Sequence, residues 1–363
     1  MLPTAVDWGG PVMELWNLTH SRPDHALAAA RRAEAAGWAG LCVVDSQNLA
    51  PDAYVALTLA ATGTGVTNSV TRHPAVTASA AMAVQQVSGG RMALGIGRGD
   101  SALAHLGRSP ARLAGFTRYV EVLQQYLRGE AVPFDRLAMD DRIAAPVAHL
   151  ELADHPDASR IRWFDRDLPK VPLEIAATGP RVIEVAGRVA DRVLLTLGAV
   201  PERLRWGIDL ARRARQAAGG DPDGLAIGAY VNLVCHEDAA VARDLVRGGL
   251  TTFARFSVMH GDVSGPADQD TRAVLNRLHD GYDMRQHTRA DSGQARLLDD
   301  AFVDAFAIAG PPDHCLRRLG ELADLGIDKV IVSGPTAGSD RQQARAAMAL
   351  LDEAVVPEFA AGS

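Results

Sequence analysis

Gly65-Val66-Thr67-Asn68-Ser69-Val70-Thr71-Arg72-His73-Pro74 and, after one helical stretch, Ser88-Gly89-Gly90-Arg91-Met92-Ala93-Leu94-Gly95-Ile96-Gly97-Arg98-Gly99-Asp100 decide the fold. Each half reads as a buried strand, Gly63–Asn68 and Arg91–Gly97, running into a polar, glycine-bearing loop. Between them Ala75–Val87 carries a helical pattern, with Pro74 at the first turn, where its missing N–H costs nothing. Two consecutive strand ends of this chemistry place one shared site at the mouth of a parallel β-structure.

The rhythm extends in both directions. Upstream, Val12–Trp16 reads as a first strand, alanine-rich Pro23–Ala36 as a helix stopped by Gly37, Leu41–Val44 as a strand ended by Asp45, and Asp52–Ala61 as a helix. Downstream come a helix from about Ala111 to Arg128, the strand Val171–Ala177, and a helix from Arg181 to Val189. The strand Arg192–Thr196, a helix from Glu202 to Ala218 and the strand Leu225–Val234 follow. A helix begins near Asp238, the last strand is Lys329–Ser333, and a final helix runs from about Arg341 to Ala354. These strand–helix units predict parallel pairing with right-handed crossovers, hence a (β/α)8 TIM barrel forming a single domain over residues 1–363. Two stretches break the rhythm, about 130–170 and 255–300, and are read as long insertions in loops. A doubly wound sheet is the competing arrangement; it needs a strand-order reversal that a sequence does not display.

Composition narrows the function. At 47% hydrophobic and 22% charged residues the chain matches soluble globular proteins, so a sizeable core is expected. A net charge of −7 with dispersed basic residues argues against nucleic acid as a partner. No run of apolar residues is long enough for a membrane span, and no basic-then-apolar leader is visible. Cys42, Cys235 and Cys315 form no metal-type spacing and read as small core residues in a reducing cytoplasm. No metal site is expected.

In a barrel the chemistry sits at the C-terminal strand ends. Asp45 is either the N-cap of a following turn or a carboxylate that orders a bound ring. Gly65-Val66 is either a simple loop entry or a place where a ligand approaches the backbone. Arg72 and His73 precede a helix start: they could meet an anion there, with His73 taking a catalytic part. The structural alternative pairs Arg72 with a rim carboxylate and leaves His73 to cap the helix. Gly97-Arg98-Gly99 offers flexible backbone leading to Asp100, a general acid if burial raised its pKa, or merely a helix-leading Asp. The sequence lacks the later glycine of the dinucleotide fingerprint. Ala177-Thr178-Gly179-Pro180-Arg181 joins a strand to a helix and is the best anion site in the chain. Trp16 and Thr196 are candidates for the pocket wall, Trp16 being equally readable as a core aromatic.

Taken together, these residues resemble the bacterial luciferase-like flavin and deazaflavin oxidoreductases, in particular the group containing methylenetetrahydromethanopterin reductase. The resemblance covers most of the chain. It is strongest over Ala33–Gly107 and returns at Ala176–Gly198 and Gly326–Gly334. It implies a TIM barrel that uses coenzyme F420 as hydride carrier for a small-molecule substrate, with C=C, C=N or C=O reduction as the expected reaction. It also implies a non-prolyl cis peptide at Gly65–Val66, a ring contact from Asp45, and Asn68 beside the deazaflavin carbonyl edge. Ala177, Thr178 and Gly179 would hold the phosphate or its linker, and Asp100 stands where sugar-phosphate-oxidising relatives carry a catalytic glutamate. A homodimer is expected from the resemblance, with the alanine-rich early helices able to pack closely. The chain departs from the pattern in two places. Ser46 replaces a common His, and no lysine follows Thr196, which argues against glucose 6-phosphate. The substrate pocket is expected to form from Trp16, Asp100 and both long loops. The competing readings are a reduced-FMN monooxygenase on the same barrel and a non-catalytic barrel that binds cofactor or a partner.

Overall fold

The computed structural model describes residues 13–60, 63–164 and 167–360; the expected strand residue Val12, the helix end Ala61 and both chain ends lie outside them. The first half reads β1 Glu14–His20, α1 Pro23–Ala36, β2 Gly40–Val44, α2 Ala53–Ala60, β3 Gly63–Asn68, α3 Pro74–Ser88, β4 Met92–Gly97, α4 Ser101–Ala104 and α5 Leu113–Leu127. A small pair, β5 Val132–Pro133 and β6 Ala158–Ser159, precedes β7 Leu173–Ala177, α6 Pro180–Val189, β8 Arg192–Leu195, α7 Pro201–Ala217 and β9 Ala226–Cys235. Then come α8 Ala239–Phe256, α9 Gln269–Asp280, α10 Asp300–Phe306, β10 Ile308–Gly310, α11 Pro312–Ala323, β11 Lys329–Ser333 and α12 Arg341–Ala354.

Eight parallel strands close in the order β11-β1-β2-β3-β4-β7-β8-β9, with β9 paired both to β8 and to β11. This is the (β/α)8 barrel that the alternation predicts. The short β10 is an addition: it pairs in parallel with the upper end of β9, Ile308 opposite Leu233. The main core lies between the strands and the outer helices, through residues such as Leu94, Ile96, Ile175, Val193 and Val330. A smaller cluster of Trp16, Cys42, Leu194, Tyr230 and Ile331 fills the barrel interior. Among the described residues no helix is long and apolar enough to cross a membrane.

The barrel floor is polar. Lys329 Nζ donates to both carboxylate oxygens of Glu174, at 2.8 and 2.9 Å, with both side chains almost fully buried. Arg192 approaches the same carboxylate at 3.4 Å. The pair joins β7 to β11 across the barrel. Dehydration of both charges offsets most of their attraction, so its net stabilisation is small.

That floor also holds Trp16. The strand β1 runs four residues past the expected end, because Asn17 and Thr19 alternate with Leu18 along a strand and read as a loop only in isolation. Trp16 is therefore low in the barrel, its ring centroid 3.6 Å from Lys329 Nζ and its indole N–H donating to Glu14 Oε2 at 2.9 Å. A Cβ on Gly40 would come within 2.6 Å of that ring, which is why the facing strand opens with glycine. Trp16 is a floor aromatic and not a pocket wall.

The two insertions differ in their contacts. Residues 130–170 connect a helix to the next strand; Gln85, which donates to Pro169 O at 2.8 Å, also receives the N–H of Met92, the first residue of β4. Asp135 and Arg136 of this segment line an outer groove together with Arg181, at the start of α6. The segment from 255 to 300 follows α8 and stays on the mouth side, where Arg255 pairs with Asp100 and Ser264 lies against Gly179. It is also less irregular than it reads: α9 buries Val274, Leu275 and Leu278 within a polar run, and Asp268 caps it by accepting from the Thr271 N–H at 2.8 Å.

Candidate active site

Strand register gathers the predicted residues on one side of the mouth. Asn68 at the end of β3 stands opposite Gly97 at the end of β4, and Ala177 at the end of β7 opposite Leu195 of β8. Asn68 Oδ1 accepts from the N–H groups of Val70 and Thr71 at 3.0 and 3.1 Å, which shapes the loop toward α3. Its amide Nδ2 is buried without a partner. A buried amide in that state costs free energy until a polar group meets it. Gly99 has φ +78°, and a Cβ there would sit 3.0 Å from Asn68 Cβ and 2.9 Å from Leu103, so only glycine lets the chain pass between them.

The turn from β7 into α6 forms a cationic corner. Gly179 is the extended N-cap, Pro180 opens the helix, and no side chain caps the first turn. Its free N–H groups favour an anion. Arg98 donates to Ala111 O at 2.6 Å. Burial, and then the neighbouring Arg181 charge, lower the Arg98 pKa. Neither arginine has a carboxylate in an ion pair among the described residues. Thr196 is nearly buried; its hydroxyl bonds that of Thr178 and donates to Ala177 O at 3.3 Å. It braces this turn.

Asp45 is committed to the rim. Its Oδ2 accepts from Thr67 Oγ1 at 2.8 Å and forms an ion pair with Arg72, which also reaches Asp52 and lies 5.0 Å from the Tyr54 ring centroid. His73 caps α3, Nδ1 accepting from the Ala75 N–H at 3.2 Å. Burial lowers its pKa, and its Nε2 is buried without a partner. The arginine-to-rim, histidine-as-cap arrangement is thus the one that forms. Among the residues described in full no peptide bond is cis; Gly65, where the cis peptide to Val66 is expected, lies outside them. The strand β3 keeps parallel register on both sides, Gly65 opposite Val43 and Leu94.

What the strand-end reading missed comes from α8. This helix crosses the mouth with Gly249, Thr252, Phe253 and Phe256 on one face. A Cβ on Gly249 would lie 3.0 Å from Asn232 Nδ2 and 3.6 Å from Ser333 Oγ, both at strand ends, and Phe253 packs on Tyr230 with centroids 5.8 Å apart. Arg255 forms an ion pair with Asp100, with little of either side chain exposed. The Arg255 guanidinium lies 4.6 Å from the Tyr282 ring centroid. Tyr282 Oη is 2.7 Å from His287 Nδ1 and 3.3 Å from Thr252 Oγ1. Burial pushes His287 down to about 4. Asp100, the candidate acid, is therefore met by a guanidinium. The aromatic and arginine spacing in Phe253-Ala254-Arg255-Phe256 was the one sequence signal for this cluster.

A groove of about 600 Å³ between α5 and α6, lined by Arg118, Glu121, Arg136, Arg181 and Glu184, opens on the outer face of the barrel. It shares only Arg181 with the strand-end site, whose convergent polar groups make it the functional candidate.

Residues 11–329 match the family of luciferase-like monooxygenases. The chain is 28% identical over 335 residues to the 5,10-methylenetetrahydromethanopterin reductase of Methanolobus tindarius, covering 87% of this chain and 91% of that one. Among solved structures, the coenzyme F420-dependent tetrahydromethanopterin reductase of Methanopyrus kandleri superposes with a TM-score of 0.67 at 21% identity, over 96% of this chain and 99% of that one. An F420-dependent secondary alcohol dehydrogenase in complex with an F420–acetone adduct gives 0.69 at 16% identity, with the same coverage of each chain. Both likenesses are of fold.

Proposed function

The chain belongs to the luciferase-like monooxygenase family, and from that premise we propose that it is a coenzyme F420-dependent oxidoreductase that reduces a C=C, C=N or C=O bond of a small organic substrate. The observation that carries this reading is the corner where Arg98 and Arg181 flank the uncapped start of α6, one strand away from the unpartnered Asn68 amide. Two cations without carboxylates and a buried free donor fit a planar, carbonyl-bearing ring that ends in a phosphate. The likeness to F420-dependent reductases along nearly the whole chain supports the same choice.

In this reading Thr178, Gly179, Pro180, Arg181 and Arg98 hold the phosphate end. Asn68 and the Gly97–Gly99 backbone receive the ring edge, and Phe253 and Phe256 exclude water from above. Bound deazaflavin supplies a hydride; the protein's part is binding, orientation and proton placement. Asp45 and His73 serve as supports of the β2–β3 rim.

Titration of the purified protein with F420 and, separately, with FMN tests the proposal. Binding of F420 at micromolar or tighter affinity is expected, weakened in R181A. Comparable affinity for FMN alone would instead favour the second reading, a reduced-FMN monooxygenase, which the family's name supports.

We also infer a homodimer. Val55 and Leu59 on α2 and Val76 and Val87 on α3 are each about half exposed. On two helices that pack side by side they make an apolar face of the kind that marks an interface, and a second copy of the chain is the occupant the early helices suit.

A further inference from the structure

Asp100 Oδ2 is engaged by Arg255, and the same guanidinium covers a second group able to give a proton, the Tyr282 phenol. Resting on the deazaflavin reading above, we propose that Tyr282 donates the substrate's proton and that His287 resupplies it. Tyr282 Oη lies at the mouth: its neighbour Thr252 is on the α8 face that carries Phe253 and Phe256. Behind it, at 2.7 Å, stands His287 Nδ1. Beside it, the Arg255 guanidinium covers the ring and is itself fixed by Asp100.

The balance is simple. A substrate C=X that takes a hydride from reduced deazaflavin at carbon takes the Tyr282 O–H proton at X. Tyr282 Oη then takes the Nδ1 proton of His287, whose Nε2 takes one from water, and proton exchange with water returns the ring to its Nδ1–H form before the next turnover. The net consumption is one hydride and one proton. Burial raises the Tyr282 pKa, as does the Asp100 charge, which keeps the phenol protonated at rest; Thr252 and Arg255 act in the opposite sense and stabilise the phenolate while it exists. The imidazole works from its neutral form, since burial outweighs the field of Asp100, with Arg255 and His105 adding to the lowering. The arrangement requires the Nδ1–H tautomer of His287.

The test uses the full chain. In ¹⁵N-histidine-labelled wild type, His287 should be the Nδ1–H tautomer at neutral pH, and Y282F should return it toward Nε2–H. An Nε2–H ring in the wild type overturns the relay, because Tyr282 would then be giving its proton to the imidazole. F420 affinity, read by cofactor absorbance, should be the same in wild type, Y282F and H287Q. Single-turnover reduction of a panel of enones and imines should fall by at least about 100-fold in Y282F, and an unchanged rate overturns the proposal. In H287Q the rate should depend more steeply on pH, because the proton must then come directly from solvent. A wild type that binds no F420 sinks the cofactor reading, and the tautomer result stands apart from it.

Discussion

At His287 one imidazole reports how dry the space beneath α8 is. Its pKa of about 4 in the fold lies below the ordinary 6.5, with burial as the main cause. Between those values the unfolded chain binds the additional proton, so stability rises with pH across the window and is lost as pH falls from 6.5 toward 4. The full effect is at most about 3 kcal/mol. H287Q should therefore lose less in melting temperature than wild type between pH 7 and pH 5; equal losses would mean that the ring is solvated. Neither this environment nor the ion pair of Arg255 with Asp100 is written near either residue, because 155 positions separate the partners. Asn68, Gly99 and Gly179 were legible for the opposite reason: a strand end, a glycine and a helix start are local features. Asp45 and Arg72 were half legible. Each was recognisable as rim chemistry, but only the fold shows that they neutralise one another.

Among the elements, the two insertions look alike as sequence and differ in consequence. Both are polar and long, and such loops in compact barrels tend to be lids or specificity elements. Both follow a helix, α5 or α8, so the contacts of each segment, and not its place in the chain order, decide where it lies. Residues 130–170 follow α5, leave Ile143, Leu150 and Leu152 exposed, and re-enter the barrel beside Gln85 through Pro169. Replacing 138–157 by a short glycine–serine linker should leave F420 affinity within about twofold of wild type, since surface loops remote from a site contribute little to it. A large loss of affinity would place that loop in the site after all. The segment after α8 is held to the barrel by Arg203, fully buried on α7. Its guanidinium donates to Leu197 O at 3.0 Å, Pro266 O at 2.7 Å, Ser257 Oγ at 2.8 Å and Ser264 O at 3.0 Å. Burial lowers its pKa to about 10, so it stays charged and able to serve all four acceptors at neutral pH. In the sequence Arg203 is one arginine among several on a helix, and nothing local marks it.

For the molecule as a whole, barrel closure sets the site, and the apolar α2–α3 face is the one proposed to pair two copies. If two copies meet there, V55D/L59D should convert a dimer into a folded monomer in sedimentation, with F420 affinity retained; a wild type that sediments as a monomer removes the proposal. The sequence by itself determined the eight strand–helix units, the barrel, and one arc of its rim from β3 to β8, because periodicity, helix-start chemistry and glycine placement act over a few residues. Tertiary structure alone decided that Trp16 lies on the floor, that Asp45 and Arg72 neutralise one another, and that α8 and the segment after α9 bring Arg255, Tyr282 and His287 together beside Asp100. Those facts depend on strand tilt, on register and on which groups become dehydrated together, and such pairings between distant segments exist only once the barrel has closed.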